Sequence, residues 1–353
     1  GGRGEGESSP DRARTGRPGD QGGDSAEGYL TDVAELARRA ALAERGEEPY
    51  RTAVGDLLAD AEDALDAEPD PRDPLGGGRA TSRFIRDSAS AYGLGLAHAV
   101  TGDSRYAEKA AEFVMAWADV TRSTRNTCPD NGSCATSLVI SRHAPGFVFA
   151  ASLIEDAQVL SDADRKAFRG WLAEVILPAT SERSNNWGDA GVFADVVVSD
   201  YIGDDRRFRE AIERWRRMVD LIGPDGDIPE ETRRGRSGLL YTQGALTYKV
   251  AVAEIAGRRG IDLWTYEGRR GGNLKRAVDL LAHYWSRPDE WPFNRKVSVP
   301  SPSGLWEIAY AHWQQPEYAS ILADGRPFGA RSNSAIRWTT LTTGVPLAGA
   351  DSS

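Results

Sequence analysis

Apolar side chains recur along this chain in two patterns that take turns. In the first they fall on one stripe of a helix. Val54, Leu57, Leu58, Ala61 and Leu65 share a face, as do Tyr106, Ala110, Phe113, Val114 and Trp117, and then Phe168, Trp171, Leu172, Val175 and Ile176. Phe208, Ala211, Ile212, Trp215, Val219 and Ile222 give the clearest case, at i, i+3, i+4, i+7, i+11 and i+14. That spacing predicts one-sided helices with charged backs. In the second pattern, residues 89–100, 138–154, 190–202 and 239–255 are apolar almost all round. A helix apolar on every side is buried on every side.

The alternation sets the architecture. Buried helices recur about every 50 residues with one-sided helices between them. Two junctions resemble each other: Thr101-Gly102-Asp103-Ser104-Arg105-Tyr106 and Ile202-Gly203-Asp204-Asp205-Arg206-Arg207-Phe208. A glycine ends one helix and an aspartate caps the next. Inner helices enclosed by outer ones in successive hairpins describe an all-α fold, an (α/α) toroid. Residues 1–26, rich in Gly, Arg, Asp and Ser, lack a large apolar side chain and predict a disordered tail ahead of a single domain over residues 27–353. Residues 68–79 predict a loop. From about Trp291 prolines multiply; one further helix is predicted over residues 305–322 and a strand over 338–343, closing one end of the ring.

Composition narrows the partners. The chain has 353 residues and a formal net charge of −10, which argues against whole-surface attraction to nucleic acid or anionic membrane. No run of 18 apolar residues offers a membrane span. Ten Trp and eleven Tyr suit a large core, or a groove that stacks on sugars. Cys128 and Cys134 bracket five residues with no third thiol or nearby His, a poor metal set. In an oxidising compartment they close a short loop worth about 2 kcal/mol. The expectation is a disulfide in a secreted, monomeric protein, with any targeting peptide absent from a chain that opens at Gly1.

Three places carry chemistry. Ser184-Asn185-Asn186-Trp187-Gly188 precedes an inner helix, where amides either cap the helix or bind a carboxylate. Pro224-Asp225-Gly226 leads through Glu230 and Glu231 to Arg233, Arg234 and Arg236, and then to Tyr241 seven residues after Arg234. Arginine suits bidentate carboxylate binding. Arg142 and His143 sit inside an otherwise apolar inner helix that Pro145 is expected to kink. His98 and His283 read as packing residues, and His312 as a rim residue. No metal-ligand spacing, nucleophile elbow or phosphate loop is present, so no cofactor or metal is expected.

Together these pieces resemble the alginate lyase superfamily of polysaccharide lyases. The carrying residues are Asn185-Asn186-Trp187, Pro224-Asp225-Gly226, Glu231-Thr232-Arg233-Arg234, Leu239-Leu240-Tyr241, Gly260-Ile261-Asp262-Leu263-Trp264 and Trp306-Glu307-Ile308-Ala309-Tyr310. The resemblance spans roughly residues 80–320. It implies an (α/α) toroid that cleaves uronic-acid polysaccharides by β-elimination, with an anionic polysaccharide as partner. Asn186 and Arg234 would offset the charge that builds on the carboxylate when the C5 proton leaves. Tyr241 would donate a proton to the leaving oxygen and, as tyrosinate, first take the C5 proton. Asn185, Trp187, Arg142, Arg233, Arg236, Glu231, Trp306 and Tyr310 would bind substrate. Many relatives carry His directly after the Asn pair, where this chain has Trp187. Trp accepts no proton, so either Tyr241 is both base and acid or His143 is the base. The substrate implied is then alginate, glucuronan or another uronate polymer. Two rivals stand beside this reading: a toroid hydrolase using Asp189 with Glu230 or Glu231, and a carbohydrate-binding relative without activity.

Overall fold

The computed structural model describes residues 27–125 and 136–349, and within them it is helical with no strand. The expected tail and the Cys128–Cys134 pair lie outside the described residues. The first seven helices are α1 (Val33–Glu44), α2 (Tyr50–Leu65), α3 (Gly78–Thr101), α4 (Ser104–Val120), α5 (Thr136–Leu153), α6 (Asp162–Trp171) and α7 (Asn186–Ile202). The rest are α8 (Asp205–Val219), α9 (Pro229–Thr232), α10 (Gly238–Gly257), α11 (Leu274–Trp285), α12 (Leu305–Trp313), α13 (Pro316–Gly325) and α14 (Thr339–Thr343).

The all-round apolar segments are the inner layer. Helix α3 packs on α5, α5 on α7, α7 on α10 and α10 on α12, an arc of neighbours. Outer helices lie on it: α4 against α3 and α5, α8 against α7, and α11 against α10. The stripe of α8 explains its place, since Phe208, Ala211, Ile212, Trp215 and Val219 are all buried. Trp215 also donates from Nε1 to the Lys249 carbonyl of α10, 3.1 Å away. The junctions work as read: Gly102 and Gly203 are left-handed, and Asp103 and Asp204 accept from the first turns of α4 and α8.

The C-terminal segment ties the ends of the arc. Helix α14 packs on α12 at one side and on α1 and α2 at the other. Arg39 of α1 donates from Nε to the Gly344 carbonyl at 2.7 Å and from Nη1 to that of Thr342 at 2.8 Å. Two expectations are corrected here. Residues 338–343 are not a strand but the left-handed Trp338 followed by the buried single-turn α14. Threonine favours strands where a neighbouring strand exists to pack on; none does, and Thr343 bonds back to the Thr339 carbonyl at 2.8 Å. The single helix expected over 305–322 is two, α12 and α13, broken at the left-handed Gln314 and restarted at Pro316.

Candidate active site

Each outer helix returns the chain, so the inner helices run the same way and their N-termini open at one end of the toroid. The first turn of α7 stands against α9, where Asn186 bonds to Glu231, and against the middle of α10, where Asp189 pairs with Lys249. Asn185 caps α7, its Oδ1 accepting from the Trp187 N–H at 3.0 Å. Of the pair, Asn185 therefore serves the helix and Asn186 is the one held for another purpose. Glycines at 188 and 191 let the preceding loop lie flat on α7, because a Cβ at either would run into the carbonyl of Arg183 or Ser181. Arg214 of α8 fixes that loop from outside, donating to Ser181 at 2.8 Å and Arg183 at 3.0 Å.

The segment between α8 and α10 supplies the facing wall. Short α9 carries Glu231, which is buried and accepts two hydrogens from Asn186, the backbone N–H at 2.8 Å and Nδ2 at 3.0 Å. Burial raises the Glu231 carboxyl, the bonds from Asn186 oppose this, and nearby Asp189 adds to it. Glu231 was expected to bind substrate; the structure instead turns it inward onto Asn186. Directly after it, Arg234 donates from Nε to the Glu230 carbonyl at 2.9 Å, and its guanidinium carbon lies 5.0 Å from the centre of the Tyr241 ring. Tyr241, in the first turn of α10, is 36 % exposed and Arg234 is exposed. Arg233 is exposed too, with Asp227 at 3.5 Å and the Phe293 ring centre at 6.0 Å. Arg236 is exposed and contributes its carbonyl to Ser298 at 2.9 Å. Trp187 is half-buried with the guanidinium of Arg183 stacked 3.9 Å from its ring centre.

Behind this mouth lies an ion pair. Lys249 Nζ and Asp189 Oδ1 are 2.7 Å apart and both nearly inaccessible. Lys249 was not foreseen, although one lysine in the apolar run 239–255 was a signal. Tyr248 was missed as well; it stands seven residues beyond Tyr241, two helical turns along the same face.

Arg142 and His143 lie on α5, beside the loop that leads into α7: the Ser181 N–H donates to the Ser141 hydroxyl at 2.9 Å. His143 is 3 % exposed, its Nδ1 has no hydrogen-bond partner among the described residues, and a segment around residues 333–335 covers it. The Ala335 N–H donates to the Arg142 carbonyl at 2.8 Å, and the imidazole bonds to the Asn333 backbone. Burial, then Arg337 and Arg142, hold the imidazole well below its ordinary value, so it is neutral. Arg142 bonds to the Tyr248 hydroxyl. Among the described residues no hydrogen bond, ion pair or ring contact joins His143 to Asn186, Arg234 or Tyr241. Trp306 and Tyr310 are corrections: both are core residues, at 0 % and 1 % exposed. Trp306 donates to Gln243 at 3.0 Å and packs edge-on against Trp285 and Tyr318, while the Tyr310 hydroxyl accepts from Ala348 at 2.8 Å. Of the remaining histidines, His98 is buried and His312 stacks on Trp264 at the surface, but His283 is exposed rather than packed.

Fold and site together define an (α/α)-toroid protein in which Arg234 lies over Tyr241 and Asn186 is bonded to Glu231, three residues before Arg234. The family follows: the alginate lyase family model matches residues 47–291, and the chain belongs to that family of polysaccharide lyases. It is similar to a polysaccharide lyase of Stenotrophomonas maltophilia (strain K279a), 33 % identical over 137 residues, a match spanning 36 % of this chain and 38 % of that relative. Its fold is similar to that of an alginate lyase from Bacteroides ovatus, with a TM-score of 0.70 at 21 % identity, covering 91 % of this chain and 100 % of the other. Alginate lyase A1-III from Sphingomonas species A1 superposes with a TM-score of 0.70 at 18 % identity, covering 91 % and 98 %.

Proposed function

We propose that this chain cleaves a uronic-acid polysaccharide of the alginate or glucuronan type by β-elimination at the mouth of α7 and α10. The observation that carries the reading is Arg234 over the Tyr241 ring, three residues after the Glu231 that holds Asn186. A structure of alginate lyase A1-III complexed with a tetrasaccharide, 18 % identical with a TM-score of 0.72, supports a saccharide as ligand of this fold.

The chemistry assigns the roles. The C5 hydrogen is acidified only if charge on the adjoining carboxylate is offset as it builds, which Arg234 and the Asn186 amide do. The Tyr241 phenolate oxygen takes the C5 proton. The freed electron pair forms the C4–C5 double bond, the bond from C4 to the glycosidic oxygen breaks, and that oxygen takes the proton back from Tyr241. One residue can do both only if the C5 hydrogen and C4 oxygen lie on the same face of the sugar. That holds for β-D-mannuronate and β-D-glucuronate and fails for α-L-guluronate, the C5 epimer of mannuronate. With Trp187 unable to take a proton and His143 enclosed, the reading selects the same-face substrates. Arg233, Arg236, Arg183 and Trp187 line the approach for further sugars.

A hydrolase is less well supported, since Asp189, which that reading pairs with Glu230 or Glu231, is tied to Lys249, and Glu231 to Asn186. A polymer substrate is met outside the cell, which suits secretion and a Cys128–Cys134 disulfide. The test is Tyr241→Phe: turnover is lost while an oligo-uronate still binds with near wild-type affinity. Retained turnover would overturn the assignment.

A further inference from the structure

The two bonds from Asn186 to Glu231 raise a question of purpose. A carboxylate held against a helix N-terminus stabilises the helix, but Asn185 already caps α7. A carboxylate also places negative charge beside an amide that must stabilise negative charge. What the arrangement does supply is orientation. An ionised carboxylate only accepts hydrogen bonds, so the nitrogen of the Asn186 amide must face Glu231 and the amide cannot turn over. One Nδ2 hydrogen and Oδ1 are left unengaged by Glu231, on a residue that is 4 % exposed. Glu231 is itself 1 % exposed and is reached by no solvent path a sugar could follow. Its geometry is kept by the short α9, where Thr232 bonds to Asp227 at 2.5 Å and to the Ile228 carbonyl at 3.1 Å. Gly238 lets α10 start against the Thr232 carbonyl, since a Cβ there would sit 2.6 Å from it.

We infer that Glu231 is a positioning residue of the elimination site, acting on the substrate only through the Asn186 amide whose orientation it sets. The inference rests on the function proposed above. It separates Glu231 from its exposed neighbours Arg233 and Arg234, which reach substrate directly, and it makes the catalytic amide a two-residue unit drawn from α7 and α9.

A double-mutant cycle tests it, with turnover followed by ultraviolet absorbance on the preferred polyuronate. Removing an oriented donor costs about 10²–10³-fold in turnover, the loss expected for Asn186→Ala. Glu231→Gln offers one acceptor for two donors and lets the amide turn. Its turnover falls at least tenfold, roughly one lost hydrogen bond's worth, with KM little changed. In the Asn186→Ala background Glu231→Gln costs nothing further. Additive losses would overturn the inference, because they would give Glu231 a role of its own. A second readout is independent of activity. In deuterated, ¹⁵N-labelled full-length protein the Asn186 side-chain amide, identified by its absence in Asn186→Ala, exchanges slowly and loses that protection in Glu231→Gln. Equal exchange in the two proteins would also overturn it. Wild-type protein inactive on every polyuronate would instead sink the elimination reading, and amide exchange alone would then decide Glu231.

Discussion

Two corners of the inner layer carry polar residues among apolar helices, and they are built in opposite ways. At the start of α10, Tyr241 is 36 % exposed and the exposed Arg234 lies over its ring, tied by Nε to the Glu230 carbonyl. Asn186 is buried at 4 % exposed, as are its partner Glu231 and the Lys249–Asp189 pair. At the α5 corner the titratable group itself is enclosed. His143 sits under residues 333–335, neutral, with Arg337 and Arg142 close by and no partner for Nδ1 among the described residues. Tyr241 keeps the access that an acid–base group needs, whereas the His143 imidazole is enclosed and held neutral.

Several substitutions sharpen that contrast. Asn186→Ala at the mouth is expected to lower turnover about 10²–10³-fold, with the melting temperature measured alongside to show that the fold survives. Arg234→Ala removes a charged hydrogen bond and is expected to cost about 10–100-fold in kcat/KM, weakening binding as well as turnover. A smaller loss, confined to KM, would move Arg234 from the reacting sugar to its neighbours.

At the enclosed corner the expected effect is on stability. An unfolded His143 titrates near the ordinary 6.5, while the folded imidazole stays neutral because burial, Arg337 and Arg142 disfavour its charge. Below that pH the unfolded chain gains a proton the folded one refuses, so this contribution is complete above about pH 6.5 and is lost as pH falls. Asp195, pushed up to about 6 by burial, works in the opposite sense, losing stability as pH rises toward that value. Comparing wild type with His143→Gln isolates the imidazole: between about pH 7.5 and 5.5, either side of the ordinary imidazole value, the variant's melting temperature falls less on acidification. Its turnover stays near that of wild type. A dead but folded His143→Gln would put the base in the α5 corner. The smallest effect is a change of range. Trp187→His restores a proton acceptor after Asn186 and is expected to add slow cleavage of guluronate, measured against none in wild type.

How far the sequence foretold this differs by layer. The alternation of one-sided and all-round apolar helices was legible because period and burial are coupled in a two-layer toroid, and α3, α5, α7 and α10 fall where the apolar runs lie. The placement of Asn186 and Tyr241 in the first turns of α7 and α10, with Arg234 just before α10, was legible because it is local to two helix starts. The partner of Asn186 was not: Glu231 lies 45 residues away and reads in sequence as an acid facing substrate. Trp306 and Tyr310 were misread because aromatics at a toroid's rim and in its core have the same composition. The end of the chain was misread for a related reason, since threonines that favour a strand instead turned back onto their own carbonyls between α12 and α1.

The most direct test is ultraviolet absorbance over time on mannuronate-rich alginate, guluronate-rich alginate and glucuronan, with reducing ends counted in parallel. Elimination leaves an unsaturated, absorbing uronate at each cut, and hydrolysis leaves none. A tyrosine acting as base and acid predicts a rise on the mannuronate-rich polymer or glucuronan and none on guluronate. A rise on guluronate alone, or new reducing ends without absorbance, would contradict it.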